Sequence, residues 1–230
     1  VNDLIQDGSA AVSRETDSDA LRILQQAAVA WGDRSQPRPS ADSLVPALLA
    51  LETQAKGDRR SFSFDALSGQ WRLWFTTGVR KQSRGGIALG KGFYVPRLAV
   101  ARIGFQQPEL ASSDEHPTTI ATPLTESQFG TITNQAQVGR LRLELSGPCR
   151  YQPKKNLLAF DFTHVTLSLF GRTLYQGSIR GGEAKAKAFP QQRIGTLPFF
   201  AFFSITDDYI AARGRGGGLA LWIREGRSPD

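Results

Sequence analysis

The chain contains no methionine, one cysteine and two histidines in 230 residues, and these scarcities remove whole classes of protein. Cys149 alone cannot close an internal disulfide, so the fold is not a small cross-linked scaffold. One cysteine and two histidines also cannot supply the four ligands that a structural zinc site usually takes. No stretch approaches the roughly 18–20 consecutive apolar residues of a membrane-spanning helix. Hydrophobic residues at 40% and charged residues at 21% exclude a disordered chain. The length suits one large domain or two small ones with an ordinary core.

Positive charge is in excess, and its placement is uneven. Residues 1–57 carry a net charge of −3 and residues 58–230 a net +10, which together give +7. A basic domain behind an acidic segment fits an anionic partner (nucleic acid, an acidic protein or an anionic membrane face), or simply a well-solvated surface. Asp3, Asp7, Glu15, Asp17 and Asp19 make the beginning too acidic for a transit peptide, and it lacks the apolar run of a secretory signal. With no methionine at position 1, a trimmed start is expected.

Helical periodicity comes first. Leu21, Ile23, Leu24, Ala27, Ala28 and Trp31 recur at helical spacing between Ser18 and Trp31, with Asp17 or Ser18 as the cap. A breaker-rich loop, Gly32 to Pro39, follows. Ser40 or Asp42 then opens a second helix through Leu44, Val45, Leu48, Leu49 and Leu51, with Pro46 near its start, closed by Lys56, Gly57 and Asp58.

After Asp65 the period falls from about 3.6 to about 2. Trp71, Leu73 and Phe75 alternate with Gln70, Arg72 and Trp74, and Leu141, Leu143 and Leu145 with Arg140, Arg142 and Glu144. Phe160, Phe162, Val165 and Leu167 change phase near His164, as at a bulge. Turn signals fall at Ser83–Gly86, Gly147-Pro148, Gly181-Gly182 and Gly214–Gly218. About nine mostly antiparallel strands are expected, with no helices alternating between them, and such a sheet favours a barrel or a sandwich. The run Leu197–Ile205, LPFFAFFSI, presents Phe to both faces. One face can line an interior; the other must meet the N-terminal helices, a lipid surface or a partner.

Catalytic signatures fail on inspection. GGIALGKG, Gly85–Gly92, lacks the final hydroxyl of a phosphate-binding loop and precedes a strand-like Phe93-Tyr94-Val95, so it reads as a loop joining two strands. No nucleophile elbow is present. Cys149, between Pro148 and Arg150 in an expected turn, reads as structural. His164 reads as a strand residue, His116 as a loop residue, and Asp114-Glu115 and Asp207-Asp208 as solvated acids. The Arg213–Gly218 run sits between two apolar strands and reads as a hairpin loop; no nucleic-acid partner is expected from it.

One ordered set of motifs remains. Leu67-Ser-Gly69-Gln-Trp71-Arg-Leu73-Trp-Phe-Thr76-Thr77 resembles the L-x-G-x-W-x-L-x-x-T-[TS] opening of the plastid lipid-associated proteins, the fibrillins of plastids and cyanobacteria. Upstream, Leu48-Leu-Ala-Leu51-Glu52 is similar to that family's helix ending in Leu-Glu. Downstream, Asp207-Asp208 through Arg213-Gly214 to Trp222-Ile-Arg224-Glu225 resembles its closing hairpin. The resemblance covers about residues 41–225. Ile210 and Ala211 stand where many members carry Arg-Ile, and Arg215 replaces an often acidic residue.

The resemblance implies a mainly β fold: an antiparallel lipocalin-like β-barrel over residues 61–230 behind an N-terminal helical segment over 1–60. Gly69 and Trp71 match the lipocalin G-x-W, whose Trp closes the barrel base under a late Arg, here Arg213 or Arg224. The family further implies a non-catalytic protein of thylakoids or plastoglobules that binds carotenoid, quinone, tocopherol or glycerolipid. No cofactor is required, though an isoprenoid or lipid would be bound, and the anionic membrane is met peripherally. Phe75, Phe160, Phe162, Phe200 and Phe202 are the expected wall of its cavity. The alternative is a scaffold for a biosynthetic enzyme or pigment–protein complex, its barrel packed solid and the outward Phe of LPFFAFFSI forming the interface to a protein partner.

Overall fold

Amphipathic spacing at the beginning of the chain produces two packed helices. A computed structural model describes residues 3–58, 60–81, 87–108 and 127–226. Helix α1 spans Asp3–Gly32, so neither Asp17 nor Ser18 caps it; the helical pattern extends well before the expected start. Helix α2 spans Ala41–Asp58 and begins as expected at Ser40, whose Oγ accepts the Ser43 N–H at 3.1 Å. Its buried face carries Leu44, Ala47, Leu48, Leu51 and Glu52. A single-turn helix α3, Phe64–Leu67, leads into the sheet, and α4, Gly182–Ala188, lies between later strands.

The period-two sequence gives eleven strands among the described residues, not nine. They are β1 (Gly69–Lys81), β2 (Ile87–Tyr94), β3 (Ala99–Gln106), β4 (Gln128–Val138), β5 (Leu141–Gln152) and β6 (Leu157–Phe160). Then follow β7 (His164–Leu169), β8 (Arg172–Ser178), β9 (Phe199–Ile205), β10 (Tyr209–Gly214) and β11 (Leu219–Arg224). Eight of them close antiparallel, in the order β1-β3-β4-β5-β6-β9-β10-β11 and back to β1. This is a lipocalin-like up-and-down barrel with an N-terminal helical segment outside it. Closure leaves the barrel no free sheet edge.

Two hairpin arms rise from the barrel where a long strand outlasts its neighbour. β1 pairs with β3 over Gly69–Arg72 and with β2 over Phe75–Lys81. β5 pairs with β6 over Cys149–Gln152 and with β7 over Leu141–Ser146, and β8 continues outward from β7.

Several turn signals mark something other than turns. Gly147-Pro148 lies inside β5, where that strand changes partner from β6 to β7. Pro148 has no N–H to offer, and a Cβ on Gly147 would stand 2.1 Å from the Asp161 carbonyl oxygen. Cys149 is accordingly a strand residue. The phase change near His164 is a break between β6 and β7, not a bulge in one strand. Most of GGIALGKG is strand β2; a Cβ on Gly92 would stand 2.1 Å from the Phe75 ring, so glycine serves close packing there instead of a loop. The Gly214–Gly218 segment does join β10 and β11 as a hairpin. The Ser83–Gly86 turn, Asp114-Glu115 and His116 lie outside the described residues.

Two principal cores result. Inside the barrel pack Trp71, Ile103, Phe105, Ile132, Cys149, Tyr151, Leu158, Phe160, Phe202 and Trp222, together with Phe64 and Leu67 from α3. Outside it, α1 and α2 cover Trp74, Phe75, Phe203, Tyr209, Leu219, Leu221 and Ile223. Among the described residues no helix is long and apolar enough to cross a membrane.

Candidate functional site

One end of the barrel is sealed, and the sequence places the seal at Gly69-x-Trp71. Trp71 is fully buried, and its Nε1–H donates to the Leu67 carbonyl at 2.7 Å. Arg224, opposite it in β11, holds its guanidinium 4.0 Å above the Trp71 ring. The same guanidinium donates to the carbonyls of Asp207, Ser68 and Ala66 at 2.6, 2.9 and 3.3 Å. Gly69 takes a φ of +120°, and a Cβ there would approach Arg224 Nη1 to 2.9 Å. Thus Arg224 occupies the position left open between two candidates. Arg213 instead binds Glu52 of α2 through Nε–Oε1 at 2.7 Å and a second contact, Nη2–Oε2, tying helix to barrel.

The strap that crosses the sealed end was not visible in the sequence. Asn156, in left-handed backbone (φ 48°), accepts the Phe62 N–H and the Tyr151 hydroxyl, each at 3.1 Å, through its Oδ1, and it donates to the Arg60 carbonyl. Gln128 Oε1 accepts the Phe64 N–H at 3.0 Å. Side chains more than sixty residues downstream therefore hold α3 beneath the barrel.

Of the five expected wall residues, Phe160, Phe162 and Phe200 gather away from the seal. Phe202 lies lower in the barrel, 6.1 Å from the ring of Phe105, the register partner of Gly69. Phe160 packs against Phe162 and Phe200 with centroids 5.2 and 5.1 Å apart, and Phe200 against Phe202 and Trp222 at 6.2 and 5.4 Å. Phe160 and Phe202 are buried, while Phe162 and Phe200 are half-buried and form an upper surface. The rings fill the barrel below that level. Two surface clefts, of about 390 and 380 Å³, are lined by none of Phe160, Phe162 and Phe200, but Phe202 borders the first beside Glu52, Lys56 and Asn156.

Phe75 is the exception, and its expected place in the wall is corrected. The β1–β11 register slips between Leu73 and Phe75, which inserts Trp74 as an extra residue and reverses the alternation. Trp74 and Phe75 both point outward as a result. Phe75 packs edge-on to Tyr94 at 5.0 Å, and Trp74 Nε1–H donates to the Ala27 carbonyl of α1 at 2.9 Å.

Register carries the interior face beyond the Phe cluster. Leu145 pairs with Val165, Leu143 with Leu167, and Leu141 with Leu169, all continuing the inward side of β5 onto the β7–β8 arm. Leu143 is 39% exposed and Leu141 47% exposed. β4 runs directly beside β5, and the inward register of β3 and β4 at that level carries Ala99, Ala101, Asn134, Ala136 and Val138. Ala136 and Val138 stand beside Leu143 and Leu141 on the neighbouring strand, so the rim of the barrel on this side is mostly apolar.

Among the described residues near that rim, Cys149 is buried and His164 and Asp161 have partners. Burial pushes the Cys149 thiol up to about 12, and His164 Nδ1 lies 3.0 Å from the Thr163 hydroxyl. Asp161, buried beneath the β7–β8 arm, meets Lys185 Nζ at 2.7 Å. Among the described residues no cluster of three or more His, Cys, Asp or Glu forms a metal site. The Phe residues of LPFFAFFSI that face outward are covered: Phe203 by the helices and Phe199 by Phe189 and Leu197.

The fold defines a class, that of closed antiparallel barrels with a helical segment packed outside, one end sealed by the Trp71–Arg224 stack. No family model matches the chain, and no curated protein matches it.

Proposed function

We propose that this chain is a non-catalytic binding protein that holds a lipid or isoprenoid at the mouth of its barrel. The observation that carries this reading is the pair of partly exposed rings Phe162 and Phe200 beside Phe160, together with the inward register of Leu143, Leu145, Val165 and Leu167 on the β5–β7 arm. An apolar molecule laid there gains roughly 25 cal/mol for each Å² it withdraws from water. The filled lower barrel favours a shallow, elongated seat over a deep enclosed one. That suits the chain of a carotenoid, quinone, tocopherol or glycerolipid, the ligands implied by the resemblance to plastid lipid-associated proteins. On the same reading the protein works peripherally at a thylakoid or plastoglobule surface and needs no cofactor for catalysis.

A scaffold role is favoured by the same filled barrel, but not through the surface first expected for it, because Phe199 and Phe203 are covered. The deciding experiment is purification from a photosynthetic host, followed by solvent extraction, mass spectrometry and absorption spectroscopy. A stoichiometric apolar compound that is lost in Phe162→Asp supports the carrier. A clean extract from folded protein overturns it in favour of the scaffold.

A further inference from the structure

The β7–β8 arm and the β4–β5 turn end in two hairpin tips that lie side by side. The Phe170 N–H donates to the Arg140 carbonyl at 3.2 Å, and the Arg140 guanidinium sits 5.1 Å from the Phe170 ring centroid. Large apolar side chains are exposed at these tips: Val138 at 70%, Phe170 at 66%, Leu174 at 60% and Tyr175 at 54%. Phe170 and Gly171 both have positive φ, 52° and 78°, the conformation of a tight hairpin turn that favours Asn, Asp or Gly. A phenylalanine there works against the local backbone, and its exposed ring gains little from the fold in return. The charges at the very tips have one sign: residues 138–141 and 169–175 contain Arg140 and Arg172 and no carboxylate, whereas Arg142 faces a cleft shared with Glu144 and Glu225.

From this placement we infer that the paired tips form a wedge that enters the interface of an anionic lipid bilayer, with Phe170, Val138 and Leu174 among the acyl chains and Arg140 and Arg172 at the headgroups. Charge complementarity selects the bilayer as occupant, since a pair of arginines without acids suits a uniformly anionic plane. The inference rests on the carrier reading, because the inward face of the barrel mouth continues onto this arm and the docked mouth would open toward the lipid.

The test uses the full chain and vesicles of phosphatidylcholine with or without phosphatidylglycerol, scored by co-sedimentation. The wild type is expected to bind the anionic vesicles and not the neutral ones. Phe170→Asn, which suits the turn and so should melt no lower than the wild type, is expected to reduce partitioning about tenfold or more. Arg140→Gln and Arg172→Gln are each expected to lower it about fivefold. Uptake of an apolar fluorescent probe in vesicle-free buffer reports the mouth separately and should be unchanged in Phe170→Asn. Equal vesicle binding by Phe170→Asn and wild type overturns the wedge even if the probe still binds. So does a wild type that ignores anionic vesicles, including one that self-associates through the tips.

Discussion

The Arg224 guanidinium sits over the Trp71 ring, 4.0 Å from its carbon to the ring centroid, and the two residues are direct neighbours across β1 and β11. The stack has little room to adjust, because Gly69 leaves space for Arg224 Nη1 on one side and the carbonyls of Ala66 and Ser68 receive its protons on another. Arg224→Ala is expected to cost about 3 kcal/mol, through loss of the cation–π contact and of the hydrogen bonds to the Ser68 and Ala66 carbonyls. Arg224→Lys should recover little, since an ammonium lacks the planar fork. Gly69→Ala should cost about 2–3 kcal/mol through its positive φ and the clash with Arg224. Urea unfolding followed by tryptophan fluorescence measures all three.

Floor and filling of the barrel separate by mutation. Phe162→Asp changes a half-exposed ring and should shift stability by only about 1 kcal/mol while abolishing uptake of an apolar probe. Phe202→Ala empties a buried site and should cost about 3–5 kcal/mol. Loss of probe binding in neither folded variant would remove the mouth as the binding site.

Phe75 gives the complementary control. Phe75→Ala should destabilise by about 3–5 kcal/mol, because the ring sits between Gly92 and Tyr94 beneath the helices. Probe uptake per folded molecule should be unchanged. A selective loss of uptake without loss of stability would return Phe75 to the cavity wall.

Glu52 and Arg213 predict an acid sensitivity. The hydrogen-bonded Arg213 guanidinium, with smaller help from the charges of Arg213 and Lys56, holds the Glu52 carboxyl below its usual range. A carboxyl whose folded pKa lies below its unfolded one stabilises the fold above the unfolded value, and that contribution is lost as pH falls through the folded one. The melting temperature should therefore drop as pH falls from about 5 toward 3. Glu52→Gln should be less stable at pH 7 by about 1–3 kcal/mol and show a flatter acid limb in thermal melts.

Cys149 should be chemically silent in the native state, with its thiol pushed up to about 12 by burial in the barrel. Iodoacetamide at pH 8 should label it only at the rate of unfolding, and quickly in denaturant. Fast labelling under native conditions would show that the barrel opens.

The sequence determined on its own what depends on neighbours along the chain. Alternation exposed the strands, helical spacing placed α2, and Gly69-x-Trp71 marked the sealed end. The tertiary structure decided what depends on partners far apart in sequence. Whether Arg213 or Arg224 met Trp71 was set by strand register, because both stand in apolar strands near glycines and only β11 pairs with the start of β1. Phe75 turned outward through a bulge that Trp71-Arg-Leu-Trp-Phe does not announce, since Trp and Phe suit either face of a sheet covered on both sides. Gly147-Pro148 has the composition of a turn, yet it lies within a strand where a missing side chain and a missing N–H accommodate a change of partner. In each case the local chemistry allowed two answers, and closure of the barrel, which aligns strands more than a hundred residues apart, left room for one.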